Sequence, residues 1–130
     1  MAADYVRGGN GTVRPYLYAR PDMVSFVQTV FGASVIARHD TPLGAHVEAA
    51  IGDSVIILEA ADQFPDHVEP TVASVYIYVE DVDSTYTKAL QGGASSISEP
   101  EDKPYDERQA GIRDSFGNTW WISSYIDPER

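Results

Sequence analysis

His46 and Glu48 stand two residues apart in "LGAHVEAA", and a further carboxylate, Glu59, follows in "VIILEA". Residues two apart on an extended chain share one face. An imidazole and carboxylates at that spacing are the material of general acid–base chemistry or of a divalent-metal site. The same three side chains also suit a plainer role, as hydrogen-bonded strand polars or as part of a subunit contact. His39 and His67 fall in turn-like surroundings and are expected at the surface. No nucleophile motif accompanies them: Ser54 and Ser115 occupy turn positions, outside any G-x-S-x-G elbow. The glycines of "LGAHVE" and "QGGAS" lack phosphate-loop spacing. The chain has no cysteine, which excludes disulfides, thiolate metal sites and Cys nucleophiles.

A second candidate set is aromatic. Tyr16 and Tyr18 alternate with Leu17 and Ala19, and Tyr76 and Tyr78 alternate with Ile77 and Val79. Trp120 and Trp121 are adjacent in "GNTWWISSY", so on a strand they point to opposite faces. The alternation predicts Trp120 in the core beneath a helix and Trp121 with the four tyrosines. Such rings give flat contact area with polar tips, and can hold a cation over a ring face. The stretch "EPEDKPYDERQAG" (99–111) is polar and reads as irregular. It is either a mobile flap over 99–108 that closes on a ligand through Tyr105 and Arg108, or a solvated hairpin connection. Gln109 follows directly and joins the ligand-facing candidates.

The elements that must position these residues come from an internal repeat. "YLYARPDMVSFVQTVFGAS" (16–34) lies on "YIYVEDVDSTYTKALQGGAS" (76–95) with a single-residue gap, and a fixed offset continues beyond it. Ile36 meets Ile97, Glu48 meets Gln109, and Ile51, Asp53 and Ser54 meet Ile112, Asp114 and Ser115. On this offset His46 meets Glu107. Each module opens with a short alternating strand. An amphipathic helix follows, carrying Met23, Phe26, Val27, Val30 and Phe31 in one module and Val82, Tyr86, Ala89 and Leu90 in the other. Pro21 suits an early helical position, Asp81 an N-cap, and Gly32, Gly92 and Gly93 helix ends. Three strands complete each module: 34–39, 45–51 and 54–60 in the first, 95–98, 107–113 and 119–125 in the second. The expected fold is α+β: two tandem β-α-β-β-β modules forming curved mixed sheets, with helices on the convex face. A flexible N-terminal tail (1–12) precedes one domain (13–126), made of module one (13–60), a linker (61–73) and module two (74–126).

The formal net charge of −11, from 20 acidic against 9 basic residues, argues against a nucleic-acid partner, which needs clustered Lys and Arg. It favours cationic or neutral partners through steering, or serves solubility alone. No run approaches the ~18 apolar residues of a membrane span, and the first residues lack the plan of a signal peptide. A cytoplasmic protein without a membrane partner is expected.

The doubled pattern, with "PYLYARPD…FVQTVFGAS", "AHVEAAIGDSVIILEA", "VYIYVEDVDSTYTKALQGGAS" and "RDSFGNTWWI", resembles the vicinal oxygen chelate superfamily of glyoxalases, bleomycin resistance proteins and extradiol dioxygenases. The last motif is similar to the family's D-P-x-G-N-x-x-E close. The resemblance implies a homodimer, often with exchanged strands. In metal-dependent members it also implies ligands on the first and last strands of each module. Those slots fall near Arg14, at Ser74, near Ile57 and at Trp121, where Trp replaces the motif's Glu. Arg, Ile and Trp are not metal donors, so the resemblance points to the metal-free, bleomycin-resistance-like branch. No metal, no cofactor and no catalytic residue are expected. Such a protein would enclose an aromatic or cationic small molecule between Tyr16, Tyr18, Tyr76, Tyr78, Tyr105, Arg108, Gln109 and Trp121. The alternative is a lyase, isomerase or dioxygenase of the same superfamily with a metal or general base relocated to His46, Glu48 and Glu59.

Overall fold

Alternating apolar residues on short strands need a cover, and in each module an amphipathic helix supplies it. The computed structural model describes residues 4–129. The elements run β1 (Tyr16–Ala19), α1 (Met23–Phe31), β2 (Ser34–Asp40), β3 (Gly44–Ile51), β4 (Ser54–Ala61), β5 (Ser74–Tyr78), α2 (Val82–Gln91), β6 (Ser95–Lys103), β7 (Glu107–Arg113) and β8 (Thr119–Tyr125). The chain divides into two units, the first running to Thr71 and the second beginning at Val72. Each carries one mixed four-stranded sheet, in the orders β1-β4-β3-β2 and β5-β8-β7-β6. The opening strand of each is parallel to the last and the other pairings are antiparallel. The fold is α+β, a β-α-β-β-β pattern repeated in tandem.

In the first unit the helix-side face is Leu17, Ala19, Val47, Ala49, Leu58 and Ala60, all buried, and α1 adds Met23, Phe26, Val27 and Val30. Gly32 ends α1 at φ 68°, a left-handed conformation that suits glycine. In the second unit the corresponding core is Ala110, Ile112, Trp120 and Ile122, closed by Val82, Thr85 and Ala89 of α2. Asp81 caps α2 by accepting from the Ser84 backbone N–H at 3.0 Å. Leu90, expected on the buried stripe, is exposed instead, and Thr85 takes the inner position.

Two expectations need correction. The stretch 99–103 is not irregular: β6 continues to Lys103 and turns over Pro104–Asp106 directly into β7. Register shifts between Ser96 and Ser98 and between Ser98 and Glu101 absorb Pro100, which has no ladder N–H to give. Asp106 adopts φ 61° in the turn, a conformation acidic and amide side chains tolerate better than most. The fixed offset also slips. Tyr16 pairs with Ile57 and Tyr76 with Trp121, yet Ile57 pairs across to Glu48 while Trp121 pairs across to Gly111. By strand pairing, Glu48 therefore corresponds to Gly111 and His46 to Gln109, two residues on from the sequence alignment. The β6–β7 hairpin is longer by those two residues: Ser98 pairs with Gly111 13 positions on, where Ala37 pairs with Glu48 11 positions on. On β7 the shift is even, so its side chains keep their faces. The longer turn 114–118, five residues against the two between β3 and β4, adds a third residue on β8, where Ile57 corresponds to Trp121.

That longer turn is organised by buried Asp114. One carboxylate oxygen accepts from the backbone N–H groups of Phe116, Gly117 and Asn118, each at 3.0 Å. The other accepts from Nδ2 of Asn118 at 3.1 Å and Nε1 of Trp120 at 2.9 Å. Asp114→Ala should strip an acceptor from all five donors and destabilise the protein by on the order of 2–4 kcal/mol, read as a lower urea midpoint at unchanged slope. Asp53→Ala, at the exposed aligned position, should cost less than about 0.5 kcal/mol.

Candidate functional site

Strand alternation leaves a second face on each sheet, away from its helix. In the first unit this face carries Tyr16 and Tyr18 from β1, His46 and Glu48 from β3, and Ile57 and Glu59 from β4. Nδ1 of His46 donates to Glu59, its direct cross-strand partner, and Nε2 lies 3.8 Å from Glu48. Tyr16 also bonds to Glu59; burial, then that bond and charge, push its phenol well above the usual range. Glu48 is buried and held by Arg14, with Nε of Arg7 at 3.1 Å. Arg14 is in turn bound by the carbonyls of Arg7, Asn10 and Gly11. A Cβ on Gly11 would lie 3.1 Å from Val55, and one on Gly8 3.3 Å from Ile36. The residues before β1 thus run against this sheet. Residues 1–3 of the expected tail lie outside the described residues.

In the second unit the face carries Tyr76 and Tyr78 from β5, Glu107, Gln109 and Gly111 from β7, and Trp121 and Ser123 from β8. Both phenols donate to buried Glu107, one to each carboxylate oxygen. Nε2 of Gln109 donates to the Tyr76 hydroxyl and to Ser123, both at 3.0 Å, and Tyr105 donates to Oε1 of Gln109 at 3.4 Å. The Tyr76 and Tyr78 rings meet edge to face, centroids 5.6 Å apart. Trp120 is fully buried and Trp121 half-buried on this other face. The Trp121 indole lies across Gly111, where a Cβ would fall 2.6 Å from its Cζ3. The bond to Glu107 raises the Tyr78 phenol to about 12, and desolvation followed by Glu107 raises that of Tyr76.

Not all the expected ligand contacts meet. Tyr76, Tyr78, Tyr105, Gln109 and Trp121 gather on the second unit's face, and Tyr16 and Tyr18 on the first's. Arg108 does not join them. It follows Glu107 and precedes Gln109 on one strand, so it points to the helix side, where Asp83 of α2 takes it at 2.7 and 2.9 Å and Asp102 at 3.0 Å. Those bonds, Asp83 first, raise the guanidinium pKa and lower that of Asp83. His39 lies exposed on β2 and His67 exposed in a turn. Sequence reasoning passed over Glu107 as a site residue, although its place two before Gln109 on a strand already put it on the same face.

Comparison with known proteins places this geometry. The model of the Glyoxalase/Bleomycin resistance protein/Dioxygenase superfamily matches residues 21–122. The chain belongs to this superfamily. Uncharacterized proteins of Mycobacterium bovis and Mycobacterium tuberculosis are 26% identical over 113 residues, 79% of this chain. The match spans 74% of the first protein and 66% of the second, just under two thirds. Among solved structures, TioX from Micromonospora sp. ML1 superposes with a TM-score of 0.67 at 22% identity, over 87% of this chain and 98% of that one. A glyoxalase/bleomycin resistance protein/dioxygenase family enzyme from Burkholderia phytofirmans PsJN reaches 0.70 at 22%, over 89% and 99%. These likenesses concern the fold.

The superfamily's metal-dependent members raise the question of fit at the four ligand slots. Here Arg14 is a cation engaged with Glu48, Ile57 is aliphatic and Trp121 has no lone pair to offer; Ser74 alone carries an oxygen. That donor set does not fit a divalent cation. His46, Glu48 and Glu59 lie close together, but the imidazole's two nitrogens face different carboxylates, so the donors diverge. Among the described residues no three His, Asp or Glu groups form a metal-ligand cluster.

Two measurements check this geometry. Ultraviolet titration should find a tyrosine ionising near 12, and Glu107→Gln should move it down towards the ordinary 10. A folded-state pKa above the unfolded one favours the fold below pH 10, so stability should fall as pH rises from there towards 12, less steeply in Glu107→Gln. Gly111→Ala should displace the indole of Trp121 and shift tryptophan emission to the red.

Proposed function

We propose that this superfamily member is a metal-independent binding protein that takes up an aromatic or cationic small molecule against its aromatic faces. The observation that carries the reading is Trp121 laid over Gly111, in the slot where the family motif has a carboxylate. An indole there replaces a ligating oxygen with a flat apolar wall, and the phenols beside it add hydrogen-bonding tips. Sequestration needs no nucleophile or general base, which suits a face whose acids are already engaged by phenols or guanidinium groups. The proposal includes a homodimer in the cytoplasm. No helix of the described residues is long and apolar enough to cross a membrane.

A second reading is general-base catalysis on the first unit's face, and the bond of His46 to Glu59, which also takes Tyr16, favours it. A carboxylate that accepts from one imidazole nitrogen fixes the tautomer and leaves the other nitrogen as the base.

Metal analysis and a thermal-shift screen separate the two. Protein purified without chelator should carry substoichiometric zinc, nickel, manganese and iron. Among cationic antibiotics, aromatic metabolites and divalent metals, an aromatic cation should raise the melting temperature, by the equivalent of roughly 2.7 kcal/mol at a hundredfold excess over its Kd. Trp121→Ala should abolish that shift and His46→Ala should leave it in place. Stoichiometric metal, or a response to metals alone, would reverse the ranking.

A further inference from the structure

Three carboxyl groups of the described residues are almost fully buried: Glu48, Glu107 and Asp114. A buried carboxylate is costly unless hydrogen bonds and opposite charge compensate it. The protein compensates two of them itself. Glu48 takes the guanidinium groups of Arg14 and Arg7, and Asp114 takes five N–H donors. Glu107, 7% exposed, takes two neutral phenols. They use about half of the lone pairs a carboxylate offers and none of its charge. Among the described residues no Lys, Arg or His pairs with it.

The groups around Glu107 define the gap. Tyr76 and Tyr78 face it from β5 and Gln109 lies beside it on β7, with Tyr125 of β8 as its cross-strand neighbour. Lys103 of β6 is its register partner, but the Lys103 ammonium bonds to Glu101. Arg108, the adjacent residue, is committed to Asp83 and Asp102 on the far side of the sheet. The first unit shows what a buried acid on this kind of face accepts. Arg14 stands two residues before Tyr16 and supplies the guanidinium for Glu48; two residues before Tyr76 stands Ser74. The position that brings a cation to one face brings none to the other.

We infer that the second unit's open face seats an external organic cation, with its amidinium, guanidinium or ammonium group on Glu107 and its flat ring against Trp121. Tyr76 and Tyr78, 48% and 62% exposed, flank the charge with ring faces as well as hydroxyls. Charge-assisted N–H bonds to the free lone pairs of Glu107 complete the acid without breaking its bonds to the phenols. The net charge of −11 draws such a ligand in from a distance. This assignment rests on the proposed ligand-binding role of the aromatic face and narrows it to cations.

The test uses benzamidinium and its neutral analogue benzamide, titrated into isotope-labelled full-length protein while the indole N–H signals are observed. The chain has only two tryptophans, so the readout is local. Benzamidinium should shift the Trp121 indole and leave buried Trp120 in place, binding at least about tenfold more tightly than benzamide. Glu107→Gln should weaken benzamidinium by about tenfold and leave benzamide unchanged. Lys103→Met should not weaken it. Equal affinity of the two probes, or tight benzamidinium binding that survives Glu107→Gln, would overturn the cation seat while the aromatic-face reading stands. If neither probe moves the Trp121 indole, the aromatic-face reading falls and the cation seat with it. The comparison of the two probes on the unaltered protein decides the matter even if Glu107→Gln fails to fold.

Discussion

The register of β8 governs everything on the second unit's open face, and buried Asp114 pins that register. Its carboxylate gathers three backbone N–H groups of the turn, the Asn118 amide and the Trp120 indole, so the turn and the first buried residue of β8 are fixed together. A strand displaced by a single residue would exchange Trp120 and Trp121, taking an indole out of the core and burying the other beneath α2. Because the turn holds, Trp121, Ser123, Gln109 and Glu107 come to one surface and the helix-side residues to the other. The D-x-x-G-N signature of the closing motif thus has a mechanical purpose here, separate from whatever the following strand presents.

The two units spend the same architecture differently. On the first, a guanidinium from just before β1 neutralises the buried acid, and the preceding residues run against the sheet through Gly11 and Val55. On the second, the strand opens at Ser74 with no such cation, and glycine at 111 makes room for an indole where the first unit has Glu48. A duplicated fold keeps its core by symmetry and takes its chemistry from the positions where the copies differ. Within a superfamily that includes glyoxalases, dioxygenases and resistance proteins, the fold carries little functional information and the side chains on these faces carry most of it.

Much of this was legible in the sequence because it depends on short periods. Alternation separated Trp120 from Trp121 and the tyrosines from Leu17 and Ile77; Asp81 was readable as a cap because its side chain acts only three residues away. Other features were not legible. Arg108 reads as a ligand contact only if 99–108 is a flap; on the regular hairpin that β6 and β7 form, it faces away from its neighbour Gln109. The equivalence of Glu48 with Gln109 failed by two residues because sequence identity does not report hydrogen-bond register across a hairpin of different length.

The sequence by itself determined the repeat, the class of fold, the faces of the strands and the unsuitability of Arg14, Ile57 and Trp121 as metal ligands, since each follows from residue type and local periodicity. Only the tertiary structure decided which charges meet. Arg14 reaches Glu48 across 34 positions, and the phenols reach Glu107 across 31 and 29. A carboxylate's partner depends on which strands lie side by side and at what register, and that is settled by packing and loop closure over the whole unit.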